Sequence, residues 1–294
     1  MHSNKGFLRH FHACNRHDLS KFVPFYIGAK SYGWVAQEPA TFLMKETNFF
    51  QTHKNGIALA PHFDDFAKRS EALATAARKI AAHYGRGLRK EMYPVIENWG
   101  DEPLAELDRA AVPWFGVRGF GVHVNGFVRR ADGIHLWVGE RAMDRLVDPG
   151  KLDNMIGGGQ PIGLTIEENL RKEAKEEAGM PASLADTAKQ VSTLHYLIER
   201  QNGLRNDFLF IFDIELPADF IPRNTDGEVA AFHLMPLAEV ASIVRDTDRF
   251  KFNCNLVIID FLVRHGFVGP EHAEYAEIVK QICHPGQASL QAST

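Results

Sequence analysis

The stretch GGGQPIGLTIEENLRKEAKEEAGM, residues 157–180, runs from a glycine cluster into a heavily charged segment and ends at Ala-Gly-Met. Thr165-Ile166-Glu167-Glu168 has the T-x-x-E spacing of a reciprocal cap, threonine hydroxyl to backbone and glutamate back to backbone. A helix is therefore predicted to begin at Ile166. Gly179 can take the left-handed backbone that closes it, and Pro181 forbids continuation. At about 100° per residue, Ile166, Leu170, Ala174 and Ala178 form one apolar stripe. With Glu173 at zero, Glu177 falls at about 40° and Glu176 at about −60°, while Leu170 and Ala174 fall at about 60° and 100°. Glu177 thus lies inside the apolar stripe and Glu173 at its border, with Arg171, Lys172 and Lys175 toward the far side.

A solvated charged helix with i,i+4 pairs such as Glu168–Lys172 is the plain alternative. It does not explain carboxylates turned toward the protein body, which lose hydration unless they are paired or bind metal. A hard divalent cation relieves their mutual repulsion. Mg²⁺ favours oxygen ligands and keeps some waters, leaving room for phosphate oxygens. The glycines before the helix let the backbone pass close to such a site.

Working outward, 294 residues suit one large domain or two smaller ones. A net charge of −4 gives no footprint for nucleic acid. An anionic substrate then needs a local site and help from a cation. No run of 18 or more apolar residues is present, so no membrane span is expected. The first residues lack an apolar signal-peptide core, and Cys14, Cys254 and Cys283 form no CxxC pair. Both point to a cytoplasmic protein with reduced thiols.

The region 1–110 reads as a smaller α/β domain of unassigned function. FVPFYIGAKSYGWV suggests short strands and turns, and DDFAKRSEALATAARKIAAHYG a helix stopped by Gly85. Residues 89–116 read as a packed connector punctuated by Pro94, Pro103 and Pro113. From 111 to 284 a second domain is predicted. FGVHVNGFV and IHLWVGER form a hairpin around ADG, and further strands lie in TLHYLIER, DFLFIFDIEL and VAAFHLM. Helices follow in LAEVASIVR, NLVIIDFLVRHG and EHAEYAEIVKQI, and residues 285–294 read as a disordered tail. Strands followed by helices without regular βα alternation indicate an α+β fold with a mixed sheet.

The charged stretch resembles the Nudix hydrolase signature: G, five residues, E, seven residues, then R-E-U-x-E-E-x-G-U with U aliphatic. On this chain it falls on Gly158, Leu164, Lys172, Glu173, Ala174, Glu176, Glu177, Gly179 and Met180. Leu164 replaces the first Glu and Lys172 the Arg. YPV, DRAAVPWFGVRGFGVHVNGFV, LWVGER, PGKLDNMIGGG, KEAKEEAGM and FKFNCNLVIIDFLVRHG are together similar to Nudix proteins related to thiamine pyrophosphokinase. In those, the first Glu is commonly absent and Lys commonly stands for Arg. The resemblance implies an α/β/α Nudix sandwich behind an N-terminal domain of unassigned function. It also implies Mg²⁺ or Mn²⁺ on Glu173, Glu176 and Glu177, and hydrolysis of thiamine diphosphate, particularly oxidised forms, to the monophosphate. Alternatives are hydrolysis of a nucleoside diphosphate derivative such as ADP-ribose, isoprenyl-diphosphate chemistry, or a catalytically silent ligand sensor.

The catalytic base is sought in Glu176 or in Glu228, an acidic residue at a turn–strand junction that is otherwise a solvated turn residue. Arg141 ends a predicted strand and is read either as a diphosphate contact, since a guanidinium matches phosphate geometry, or as a surface arginine. Asn154 either orients ligand or shapes the turn. Gly158, in the glycine cluster, is a candidate substrate contact where the backbone can pass close to ligand. Lys251 is a candidate phosphate contact, and Asn255 a cap for a helix starting at Leu256. His123 is read as sheet-embedded and hydrogen-bonded. Trp34, Trp114 and Trp137 could face a thiazolium ring through cation–π contact, but fit core packing better. The expected partner is a small diphosphate, with no nucleic acid and no membrane; a homodimer is left open.

Overall fold

In a computed structural model, residues 5–283 are described, so the predicted tail lies outside the described residues. The chain begins with α1 (Leu8–Cys14), then the hairpin β1 (Phe22–Ile27) and β2 (Lys30–Ala36), α2 (Gln37–Glu46), β3 (Phe50–His53) and β4 (Gly56–Leu59). These strands form a mixed sheet in the order β2-β1-β4-β3, with β1 and β4 parallel. Helix α3 (Phe66–Tyr84) covers it with Leu73, Ala76, Ala77 and Ile80, all fully buried. Its ends follow the sequence signals: the Asp65 carboxylate accepts from Lys68 N at 2.8 Å, and Gly85 closes with φ 62°.

The predicted connector is more ordered than its prolines suggest. It forms an antiparallel hairpin, β5 (Met92–Val95) with β6 (Ala105–Asp108), and a short helix α4 (Val112–Phe115). Pro94 sits in β5 opposite Glu106 in a two-stranded ribbon. A proline is tolerated there because a ribbon strand has one unpaired edge.

The second region is built on β7 (Arg118–Arg130), β8 (Gly133–Arg141), β9 (Leu152–Asn154), β10 (Ile156–Gly159), β11 (Lys189–Arg200), β12 (Gly203–Glu215) and β13 (Val229–Pro236). The main path is β11-β12-β7-β8-β13, with β10 on β7 and β9 on β8. β12 and β7 are parallel, so the sheet is mixed. On one face α5 (Ile166–Ala178) and α6 (Ala182–Ala185) pack, burying Leu170, Ala174 and Ala178 against Val122, Val124 and Phe212. On the other face α7 (Leu237–Asp246), α8 (Cys254–Arg264) and α9 (Tyr275–Cys283) pack against Phe127, Leu136 and Ile211. That is the α/β/α sandwich. Alternation in β7 produces it: the even-numbered valines face α5, while Phe127 faces α8.

Helix α1 joins this second core. Phe7, Phe11 and Cys14 are buried with the residues of α7, α8 and α9. His10 hydrogen-bonds Val244 O at 2.7 Å. Asn255 does not take the capping role expected of it. Helix α8 starts at Cys254, so Asn255 is inside its first turn and does not cap it; its Nδ2 donates to Lys251 O at 3.2 Å. A buried Asn among apolar residues reads as a cap only while the preceding turn is unseen. Among the described residues no helix is long and apolar enough to cross a membrane.

Candidate active site

Helix α5 begins and ends as its sequence dictates. Thr165 Oγ1 accepts from Glu168 N at 3.1 Å, and Glu168 Oε2 accepts from Thr165 N at 2.8 Å. Gly179 closes the helix at φ 60°. Since the cap occupies Glu168, the Glu168–Lys172 pair of a plain solvated helix does not form. Lys172 Nζ instead bridges Glu173 at 3.0 Å and Glu176 at 2.9 Å.

The projection also holds in three dimensions. Glu177 is buried, at 8% exposure, and its Oε2 accepts the Gly157 N–H at 2.7 Å. Burial pushes its carboxyl well above the usual range, the Glu173 charge adds to this, and the Gly157 bond opposes it. Glu173 lies against Gly158 so closely that a Cβ there would collide with its carboxyl. Burial raises Glu173 as well, with Lys172 working the other way. Glu176 is the exposed member of the three. Two carboxylates are therefore withdrawn from water beside a glycine strand, and one lysine offsets part of their charge.

Beside Glu177 a small cleft is lined by Arg141, Asp153, Asn154, Glu177 and Glu228. Glu228 immediately precedes β13 and forms an ion pair with Arg145. The Arg141 guanidinium is held on several sides: Nη1 to Asp153 Oδ2 at 2.6 Å, Nε to Asp148 O at 3.1 Å, and Nη2 to Val147 O at 2.8 Å. Lys251 Nζ is 3.3 Å from the same Asp153 oxygen. Asn154 Oδ1 bonds His123 Nδ1 at 2.9 Å, which makes His123 the sheet-embedded residue expected. Trp114 and Trp137 are buried in the cores, and Trp34 packs beside Leu197 and Leu204.

Sequence reasoning did not single out Asp153 or place Cys254 near the site. With His123 they bring ligand atoms within 4.8 Å of one another, the arrangement of a candidate soft-metal triad. The hydrogen bonds argue otherwise. Asp153 Oδ1 accepts from Asn154 N at 2.8 Å and from Cys254 Sγ at 2.6 Å, while Oδ2 takes Arg141 and Lys251. Two cations and two further donors saturate the carboxylate, holding it down at about 2. Burial and Asp153 drive the Cys254 thiol well up, so it stays protonated. The triad is a hydrogen-bonded floor. The helix glutamates fit a hard cation better, because Glu173 and Glu177 are oxygen donors that burial leaves under-compensated.

Two family matches divide the chain: a domain of unknown function, DUF4743, over residues 6–119 and the NUDIX domain over residues 119–254. Nudix hydrolase 20, chloroplastic, of Arabidopsis thaliana is 38% identical over 290 residues, covering 94% of this chain and 77% of that protein. The chain belongs to the Nudix hydrolase family. Nudix hydrolase 24, chloroplastic, of the same plant is 39% identical, with the same coverage of 94% and 77%. An uncharacterized protein of Saccharomyces cerevisiae is 32% identical over 79% of this chain and 73% of its own length. A crystal structure from Deinococcus radiodurans superposes with a TM-score of 0.41 at 21% identity, covering 58% of this chain and 96% of that one. Nudix hydrolases act on diphosphate-containing substrates and generally use a divalent ion such as Mg²⁺ or Mn²⁺. In this Nudix hydrolase Glu173, Glu176 and Glu177 are the helix carboxylates that could offer oxygen ligands to such an ion.

Proposed function

We propose that this Nudix hydrolase cleaves thiamine diphosphate, above all its oxidised forms, to the monophosphate and phosphate, in the cytoplasm. The carrying observation is Glu177, a buried carboxylate bonded to the Gly157 N–H and backed by Glu173 against Gly158. Water attacks the terminal phosphorus, the bond to the bridging oxygen breaks, and the monophosphate departs with that oxygen. A bound divalent ion neutralises phosphate charge and lowers the pKa of water. The proton passes to Glu176 or to Glu228, whose positions are held by Lys172 and Arg145.

The thiamine assignment is supported by the segments similar to thiamine pyrophosphokinase-related proteins, which run through both regions. It is also supported by a second, open cleft at the start of α5. Ile96, Trp99, Leu164 and Ile166 line it together with the acidic Asp101 and Glu167. An aromatic face with carboxylates nearby suits a flat cationic heterocycle. Leu164 fills the position of the missing signature glutamate and makes this wall apolar. Ile166 and Glu173 lie seven residues apart on one helix face, roughly 10 Å, which matches a ligand with a ring at one end and a diphosphate at the other. Free thiols at buried Cys14 and Cys254 fit a reducing compartment.

The test is a panel of diphosphates with Mg²⁺ in ¹⁸O-water: thiamine diphosphate, its oxidised forms, ADP-ribose and an isoprenyl diphosphate. The expected result is fastest turnover of the oxidised thiamine compounds, with label in the released phosphate. Turnover of ADP-ribose alone refutes the thiamine assignment and leaves the hydrolase standing.

A further inference from the structure

The N-terminal region reaches the glycine strand of the active site. A Cβ at Gly159 would collide with the Tyr93 hydroxyl and lie 3.2 Å from the Arg109 guanidinium carbon. Gly159 is thus the place where a side chain is excluded so that Tyr93 and Arg109 can lie on the strand. Arg109 is set firmly there. Its N–H donates to Glu91 O at 2.8 Å, one step beyond the last β5–β6 pair. The preceding Asp108 carboxylate gathers the backbone N–H groups of Arg89, Lys90 and Ala110 at 2.7 to 3.1 Å. Ile162 N donates to Met92 O at 2.9 Å, pinning the hairpin to the loop that leads into α5.

The other guanidiniums near the site are committed. Arg141 is held by Asp153 and loop carbonyls, and Arg205 by Asp207 at 2.7 Å. Arg109 gives Nη1 to Glu91 at 2.8 Å, and its side chain is half exposed. A guanidinium fork matches phosphate oxygens bidentately, whereas Lys172 at the signature arginine position offers a point charge that already bridges Glu173 and Glu176.

We infer that Arg109, contributed by the region of unassigned function, binds a phosphate of the substrate across the side-chain-free surface of Gly159. This rests on the diphosphatase reading above. It gives the N-terminal region a concrete role: a guanidinium that keeps part of its donors free beside the glycine strand, where Arg141 spends Nε, Nη1 and Nη2 on Asp153 and loop carbonyls.

The experiment uses the full chain and methylenediphosphonate, which is not hydrolysed, titrated calorimetrically with and without Mg²⁺. Arg109→Ala is expected to weaken binding at least about tenfold and to raise KM more than it lowers kcat, with Arg109→Lys in between. Glu91→Gln breaks the same ion pair but keeps the guanidinium, and is expected to lose far less binding than Arg109→Ala. Unchanged binding by Arg109→Ala overturns the inference, as does an equal loss in Glu91→Gln, which marks the ion pair as structural only. Either result leaves hydrolysis by the wild type untouched. A wild type that neither binds the diphosphonate nor releases phosphate from any diphosphate overturns the underlying reading as well.

Discussion

Glu177 Oε2 accepts the Gly157 N–H at 2.7 Å, so the signature helix and the glycine strand are joined through a buried carboxylate that forms no ion pair among the described residues. This bond fixes where the helix sits and leaves a charge that ordinary folding would avoid.

Glu177→Gln can still accept from Gly157 N–H but carries no charge. Turnover should fall by at least about 100-fold. Metal-free stability at pH 7 should rise, because burial places the Glu177 carboxyl well above its ordinary 4.5 and ionisation is unfavourable in the fold. For the wild type without metal, the folded state binds more protons than the unfolded above that value. Stability from this group is complete below 4.5 and declines as pH rises. Thermal melts in EDTA across about pH 5 to 8 check both points; a destabilised Gln variant contradicts them.

Metal should stabilise the wild type and not the variant. At a hundredfold excess over its dissociation constant, a ligand bound only by the native state adds about 2.7 kcal/mol. Melts with Mg²⁺ and then excess EDTA should show a reversible shift in the wild type alone.

Gly158→Ala would drive a Cβ into the Glu173 carboxyl. The expected effect is a loss of activity of about tenfold or more with a small change in stability, since Glu173 can swing away while β10 keeps its pairing with β7. Equal activity in a kinetic assay would show that Glu173 does not need its observed position.

Arg141→Ala removes one cation from a buried pair and frees the carbonyls of Val147 and Asp148. Lys251 remains beside Asp153 and softens the loss, so destabilisation of about 2 to 3 kcal/mol is expected in denaturant unfolding.

His10 supplies an acid-side prediction. Burial lowers it from 6.5 to about 4, and its ring is bonded to Val244 O. Between these two values the unfolded chain takes the proton and the folded chain does not. Stability is therefore whole above 6.5 and falls as pH drops toward 4, by about 3 kcal/mol at most. His10→Gln keeps a donor for Val244 O and should flatten this part of the pH–stability curve.

Several of these features were legible in the sequence for physical reasons. Thr165, Glu168 and Gly179 are local signals, and each makes the bond or backbone turn that its chemistry predicts. Glu173 and Glu177 could be placed by projection because helical geometry is regular. Strands β7, β8 and β11 to β13 showed in alternation. The rest depends on contacts distant in the chain. Arg109 reaches Gly159 only through the β5–β6 hairpin, which Pro94 made look like a connector. Arg141 carries no mark of its commitment to Asp153, and Asn255 looks like a cap until α8 is seen to start at Cys254. Helix α1 gains its reason from α7 to α9, more than two hundred residues away.

The decisive measurement is phosphate release from oxidised thiamine diphosphate, followed for the wild type and Glu177→Gln with Mg²⁺ and after EDTA. Mg²⁺-dependent release of one phosphate per monophosphate formed is predicted for the wild type, abolished by EDTA and by the substitution. Release that persists in EDTA or in Glu177→Gln, or none from any diphosphate, would contradict a metal-dependent diphosphatase built on Glu177.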